Sequence, residues 1–379
     1  MSTRSFAQSP RSSMTPRERF LAAIAGDEVD HIPVSVWLHF ASEPYSGVET
    51  ARLHLRYFRE YGWDYLKVMN DYRYPLPGDS NVNSPLPGSN SDANSPRPRE
   101  NNADSQLSRD NNADPPLSGG YDARHPLSWG VDLIASENDL LRFEPQPLTA
   151  APFAAQLECL RTLRAELGPD VPLVETLFSP VQTVVRAAGS RVWQTILAYP
   201  QAARQMLDAV TQTLVAYVNA LAEIGVTALF YSVNGANRPP AAGGVTDEQF
   251  TNFIAPYDRR VLEAAGTAGL VRIGHIHGID LAFDRVADYP VEAFNWSHLR
   301  TAPSLTEVRQ RTKAAIIGGI DEVKVFDQTP AEVAADIERT WREAGPRQFL
   351  VGPGCTVPPD TSRRLLHAIA DAAHRLPTS

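Results

Sequence analysis

Apolar positions in this chain fall into eight short, dense runs, at 31–39, 65–69, 171–178, 226–233, 270–276, 291–296, 314–320 and 348–351. Each is too short for a buried helix and rich enough in Val, Ile and Leu for a strand covered on both faces. Between them the apolar residues take helical spacing, over 48–61, 151–167, 192–224, 248–265, 305–312 and 331–344, with a last stretch at 362–375. Thr15-Pro16-Arg17-Glu18 is a capping box with proline at the first helical position, and it predicts a helix ending near Gly26. Eight strand–helix alternations predict a (β/α)₈ TIM barrel. A doubly wound open sheet needs a glycine-rich phosphate turn after the first strand, and Leu38-His39-Phe40-Ala41-Ser42 is not one.

One segment breaks the pattern. From Pro75 to Gly120 the chain is Asn, Ser, Pro, Asp and Gly, with loose ten-residue repeats such as Asn101-Asn102-Ala103-Asp104 and Asn111 to Asp114. It cannot bury enough apolar surface to offset its ordering entropy, so 75–120 is expected to be a disordered loop insertion. Polar residues 1–13 lack the apolar core of a secretory signal and are expected to be a disordered tail. That leaves one barrel over 14–379, within the size range of a single (β/α)₈ unit. The net charge of −9 and pI near 5.5 argue against nucleic acid or an anionic membrane surface as partner. Two cysteines exclude a disulfide framework. No apolar run spans a bilayer, and a cytoplasmic location is expected.

Catalytic groups of such barrels sit at the C-terminal ends of the strands. At those ends stand Asp71, Asn234, His275 with His277, Asn295, Asp321 and Cys355, with Glu175 inside the third run. A two-residue spacing on a strand puts His275 and His277 on one face. Two imidazoles and a thiolate from Cys355 form a donor set suited to zinc, with Glu175 as a further ligand or as the group that ties a histidine. Alternatively, one histidine packs in the barrel and the other is solvated. Cys159 lies mid-helix and reads as a small core residue. Asp71 reads as a pocket residue or a cap, Arg186 as a solvated helix residue, and His367 and His374 as surface positions on the last helix.

Over nearly the whole chain outside the insertion, the sequence resembles the uroporphyrinogen decarboxylase superfamily. The resemblance rests on Thr15 to Phe20 followed by Asp30-His31-Ile32-Pro33-Val34, and on Asp64-Tyr65-Leu66-Lys67-Val68-Met69-Asn70-Asp71. It continues through Phe178-Ser179-Pro180, 250–257, Gly274-His275-Ile276-His277-Gly278, Gly318-Gly319-Ile320-Asp321 and Gly354-Cys355-Thr356-Val357-Pro358-Pro359. The resemblance implies a (β/α)₈ fold and one of two activities. One is decarboxylation in porphyrin biosynthesis; the other is zinc-dependent methyl transfer from a methyl-corrinoid partner protein to a thiol such as coenzyme M.

Position by position, the decarboxylase pattern is thin. The Arg-Gln-Ala-Gly-Arg stretch of true decarboxylases is His39-Phe40-Ala41-Ser42 here, and the histidine of their Gly-His-Gly motif is Cys355. Only their pyrrole-binding aspartate is kept, as Asp71. The methyltransferases use His-x-Cys and a distant cysteine, which His275 and Cys355 match, while His277 stands where cysteine is usual. The expectation is therefore a zinc-dependent methyltransferase. His275, His277 and Cys355 would be its ligands, Asp71 and Glu175 its catalytic carboxylates, and Asp71, Asn234, Asn295 and Asp321 its substrate contacts. A decarboxylase, and a non-catalytic barrel that binds a tetrapyrrole or corrinoid, are the alternatives.

Overall fold

The computed structural model describes residues 14–42, 45–77, 134–241 and 243–378. The expected tail at 1–13 and all of the expected insertion beyond Pro77 lie outside the described residues. Among the described residues, seven strands form one parallel sheet in chain order: β1 (Leu66–Val68), β2 (Leu173–Phe178), β3 (Ala228–Val233), β4 (Val271–Ile276), β5 (Ala293–Asn295), β6 (Ala315–Ile320) and β7 (Phe349–Pro353). Twelve α-helices among the described residues surround it. They are α1 (Pro16–Ala25), α2 (Gly47–Tyr61), α3 (Glu137–Leu141), α4 (Ala151–Leu167), α5 (Pro180–Ala188), α6 (Val192–Ala198) and α7 (Pro200–Ile224), then α8 (Asp247–Phe253), α9 (Ala255–Thr267), α10 (Leu305–Arg309), α11 (Pro330–Ala344) and α12 (Arg363–His374).

The first apolar run forms no full strand, yet it takes the eighth staves' place in the wall. Val34 bridges Val351 of β7 in parallel, with Ser35 N–H donating to the Val351 carbonyl and Val351 N–H to that of Pro33. On its other side Asp64 N–H donates to the Val34 carbonyl, just before β1. Pro33 has no N–H and β1 is three residues long, so few ladder bonds are available to this stave. The helical stretches at 192–224 and 248–265 are each two helices. They break at Tyr199-Pro200 and at Ile254, two residues before Pro256, where a proline cannot continue the preceding turn.

Strand register sorts the side chains into inward and outward sets. Residues paired across parallel strands share a face, and faces alternate along each strand. Tyr231 donates to Asp258 of α9, so its rung faces the helices. Ser232 pairs with His275 and His275 with Asn295, so this rung faces the barrel interior. Thr176 and Phe230 form the inward layer below it. Glu175 pairs with Leu229, two residues before Tyr231, and faces outward. The strands are buried on both sides, as the continuous apolar runs required.

Candidate metal centre

β4 ends at Ile276, and His275 and His277 both turn inward at its C-terminal end. Cys355 follows β7. The three offer donor atoms that all lie within 4.8 Å of one another. Cys355 Sγ lies 3.9 Å from His277 Nδ1. The ring of His275 stacks on Phe230, with centroids 5.0 Å apart.

The orientation of His275 follows from its neighbour. Asn295 on β5 is fully buried, and its Nδ2 donates to the carbonyls of Ile317 and Pro353, both at 3.0 Å. Its Oδ1 must therefore be the atom facing His275 Nδ1, at 2.7 Å. An amide oxygen only accepts, so Nδ1 carries the proton and Nε2 keeps its lone pair for the cluster. Burial alone would push the Cys355 thiol up. The two imidazoles that face it, His275 and His277, outweigh burial and hold the thiol well below its usual range. Burial pulls His277 down, but the hydrogen bond and charge of Cys355 leave it raised.

Other expected residues fall in several places. Asp71 is buried just beyond β1; its Oδ1 faces His39 Nδ1 at 2.7 Å, and its Oδ2 accepts from Ser42 N–H and Oγ. Burial opposes its charge, but these bonds hold the carboxyl below the usual range. Asn234 is half-buried after β3 and accepts from Ser232 Oγ at 3.4 Å. Asp321 is buried after β6, where its Oδ1 caps the backbone N–H groups of Val323 and Lys324.

Glu175 is not brought to the cluster, which corrects its expected part as ligand or as the tie of a histidine. Its strand parity turns it outward, where Tyr217 OH, Gln156 Nε2 and Asn70 Nδ2 donate to it. Asn295 makes the tie instead. Arg186 is not simply solvated: its guanidinium lies 3.6 Å over the Phe178 ring and donates to the Asn70 carbonyl. His374 reaches back to Asp64 at 3.4 Å.

Two charged residues near the cluster escaped the reading of the sequence. Glu322 is buried and accepts from Ser297 Oγ, while its Oε2 has no hydrogen-bond partner among the described residues. Burial and the nearby Cys355 push it up to about 7. It fits only because residue 354 is glycine: a Cβ there would stand 2.6 Å from Glu322 Oε2 and 2.6 Å from Ser297 Cα. Lys67, on β1, is also buried and faces inward. A lysine inside an otherwise apolar strand was the visible signal for it.

A sequence profile described as uroporphyrinogen decarboxylase (URO-D) matches residues 132–376. The chain belongs to the uroporphyrinogen decarboxylase family. A uroporphyrinogen decarboxylase of Syntrophotalea carbinolica is 33% identical over 151 residues, 38% of this chain and 41% of that protein. The sheep (Ovis aries) uroporphyrinogen decarboxylase is 24% identical over 261 residues, 64% of this chain and 68% of the relative. Among solved structures, a methyltransferase from Methanosarcina mazei superposes with a TM-score of 0.64 at 16% identity, covering 95% of this chain and 98% of that one. That likeness establishes a shared fold, and with the seven-stranded parallel sheet it supports the TIM-barrel class read from the sequence. No helix among the described residues is long and apolar enough to cross a membrane.

Proposed function

We propose that this family member is a zinc-dependent methyltransferase that passes a methyl group to a thiol, with His275, His277 and Cys355 as the ligands. The observation that carries the reading is the convergence of these three donors within 4.8 Å at the strand ends. Two nitrogens and a thiolate are a chemically suitable set, leaving a fourth position for substrate. Zinc held there would supply a Lewis acid that lowers the pKa of a thiol. The chain's own part is orientation and charge. Asn295 fixes the tautomer of His275, and the low-lying Cys355 enters as thiolate. Two neutral imidazoles and one thiolate leave one positive charge of the ion uncompensated, which favours an anionic fourth group. Asn234 and Asp321 would serve as polar contacts at the mouth, and a methyl-corrinoid on a separate protein would be the donor. A reducing, cytoplasmic setting suits an unpaired thiol at such a site.

Decarboxylation is the second reading, favoured by what the sequence relatives are called. It would use Asp71 to bind the substrate, but both oxygens of Asp71 already engage His39 and Ser42. The test combines metal analysis of the purified protein with two assays, methylcobalamin plus 2-mercaptoethanol and uroporphyrinogen. Near-stoichiometric zinc and methyl thioether formation are expected, both lost in Cys355→Ala with the fold retained. Unchanged zinc in Cys355→Ala, or turnover of uroporphyrinogen alone, would overturn the methyltransferase reading.

A further inference from the structure

The interior of the barrel holds a lysine that the metal centre does not account for. Lys67 is 4% exposed on β1, paired with Val174 on an inward rung. Its Nζ donates to the thioether of Met69 at 2.6 Å and lies 4.5 Å from the Phe230 ring centroid and 5.4 Å from that of Trp37. A thioether is a weak acceptor, and aromatic faces do not replace the hydration of a fully charged ammonium. Phe230 is also the ring on which His275 stacks, so the amine and the candidate centre share a neighbour. Lys67 hydrogen-bonds none of the three donors.

Resting on the methyltransferase reading, we propose that Lys67 is the base of this site: its amine takes the proton of the acceptor thiol. The S–H bond breaks, its electron pair stays on sulfur, and a new N–H bond forms on Nζ, so one proton moves and no other co-reactant is needed. Burial supports this by lowering the amine to about 7, against the pull of Cys355, Glu175 and Asp71 and with that of Arg186. His54 on α2 is also coupled to it, and burial holds His54 near 4, uncharged at neutral pH. Once protonated, Lys67 stands as a cation opposite the new thiolate.

The experiment measures binding of 2-mercaptoethanol to zinc-loaded protein between pH 8.0 and 9.0, where the free amine is almost wholly uncharged, with proton release counted by calorimetry in buffers of different ionisation enthalpy. If Lys67 keeps the proton, the wild type releases almost none to solvent and its affinity changes less than about threefold across the range. In Lys67→Met the proton must leave, so release approaches one per thiol and affinity rises about tenfold per pH unit. Lys67→Gln gives the same contrast if the methionine variant does not fold. A wild type that releases a full proton, or variants with the wild-type proton count, would overturn the role of Lys67 while leaving the metal reading intact. Failure of the wild type to bind zinc or thiol would overturn the methyltransferase reading and this role with it.

Discussion

Glu175 shows how burial decides the behaviour of a single side chain. It is fully buried on the outer face of β2, and burial raises its carboxyl to about 8 despite hydrogen bonds from Tyr217, Gln156 and Asn70. A group raised in the folded state stays protonated there while the unfolded chain ionises near 4.3. Stability therefore falls as pH rises from about 4.3 towards 8, because the unfolded chain binds fewer protons. Glu175→Gln keeps an acceptor for the same donors and gains an N–H pair that can face Gln156 Oε1, which has no hydrogen-bond partner among the described residues. The variant should match the wild type at pH 5 and exceed its melting temperature by a few degrees at pH 8. Parallel melting curves that keep a constant gap would show that Glu175 is ionised in both states. The residues of the candidate centre were legible because His-x-His on a strand and a lone cysteine at another strand end are chemically unusual. The outward turn of Glu175 was not legible. A strand apolar on both faces has no alternation from which to read direction, and only the pairing register supplied it.

Elements meet where the backbone permits it, and α2 crossing α4 is the tightest case. A Cβ on Gly47 would stand 2.2 Å from the Ala155 carbonyl oxygen and 2.8 Å from Cys159 N. Both are backbone atoms of a neighbouring helix and cannot step aside as a flexible side chain can. Gly47→Ala should therefore cost stability, at the upper end of the ~1–3 kcal/mol usual for overpacking. Urea unfolding with unchanged m-value would measure it, and a loss below ~0.5 kcal/mol would mean that the helices separate easily. The sequence signalled α2 through the helical spacing of its apolar residues over 48–61, but not the Ser46–Glu49 capping box that starts it nor which helix it would touch. Strand positions were readable to within two or three residues from the apolar runs. The first run was the exception, because Pro33 and the short β1 limit its pairing to a single bridge. The fused reading of α6 with α7, and of α8 with α9, followed an apolar period that persists across a proline.

At the scale of the whole barrel, one aspartate holds the two ends of the described chain together at the face opposite the candidate centre. Asp64, 5% exposed, accepts from Arg19 of α1 at 2.7 Å and from the N–H of Val34 at 2.9 Å, and faces His31 at 2.8 Å and His374 of α12 at 3.4 Å. Arg19 also pairs with Asp30. His31, Asp64 and His374 can be counted as metal donors by proximity, but the Arg19 guanidinium occupies the same Asp64 oxygen as His31. The group is instead the lock of the closing stave, in keeping with a stabilising role for residues on this face of a barrel. Burial would raise Asp64, but these partners hold its carboxyl well below the usual range. Its stabilisation is therefore fully present above the unfolded carboxyl pKa near 3.9, and is lost as pH falls through the lower folded value. Asp64→Asn keeps the shape but removes the charge beside a buried guanidinium, and should destabilise the barrel by roughly 3 kcal/mol at pH 7. Around pH 2 the gap between variant and wild type should narrow, because protons begin to neutralise the same carboxylate in the wild type. The zinc proposed for the cluster should be retained at pH 7, since the lock and the cluster lie at opposite ends of the strands. Denaturant unfolding at the two pH values, with metal analysis on the same samples, checks all three expectations. Loss of zinc in a variant that remains folded would show that the two ends of the barrel are coupled.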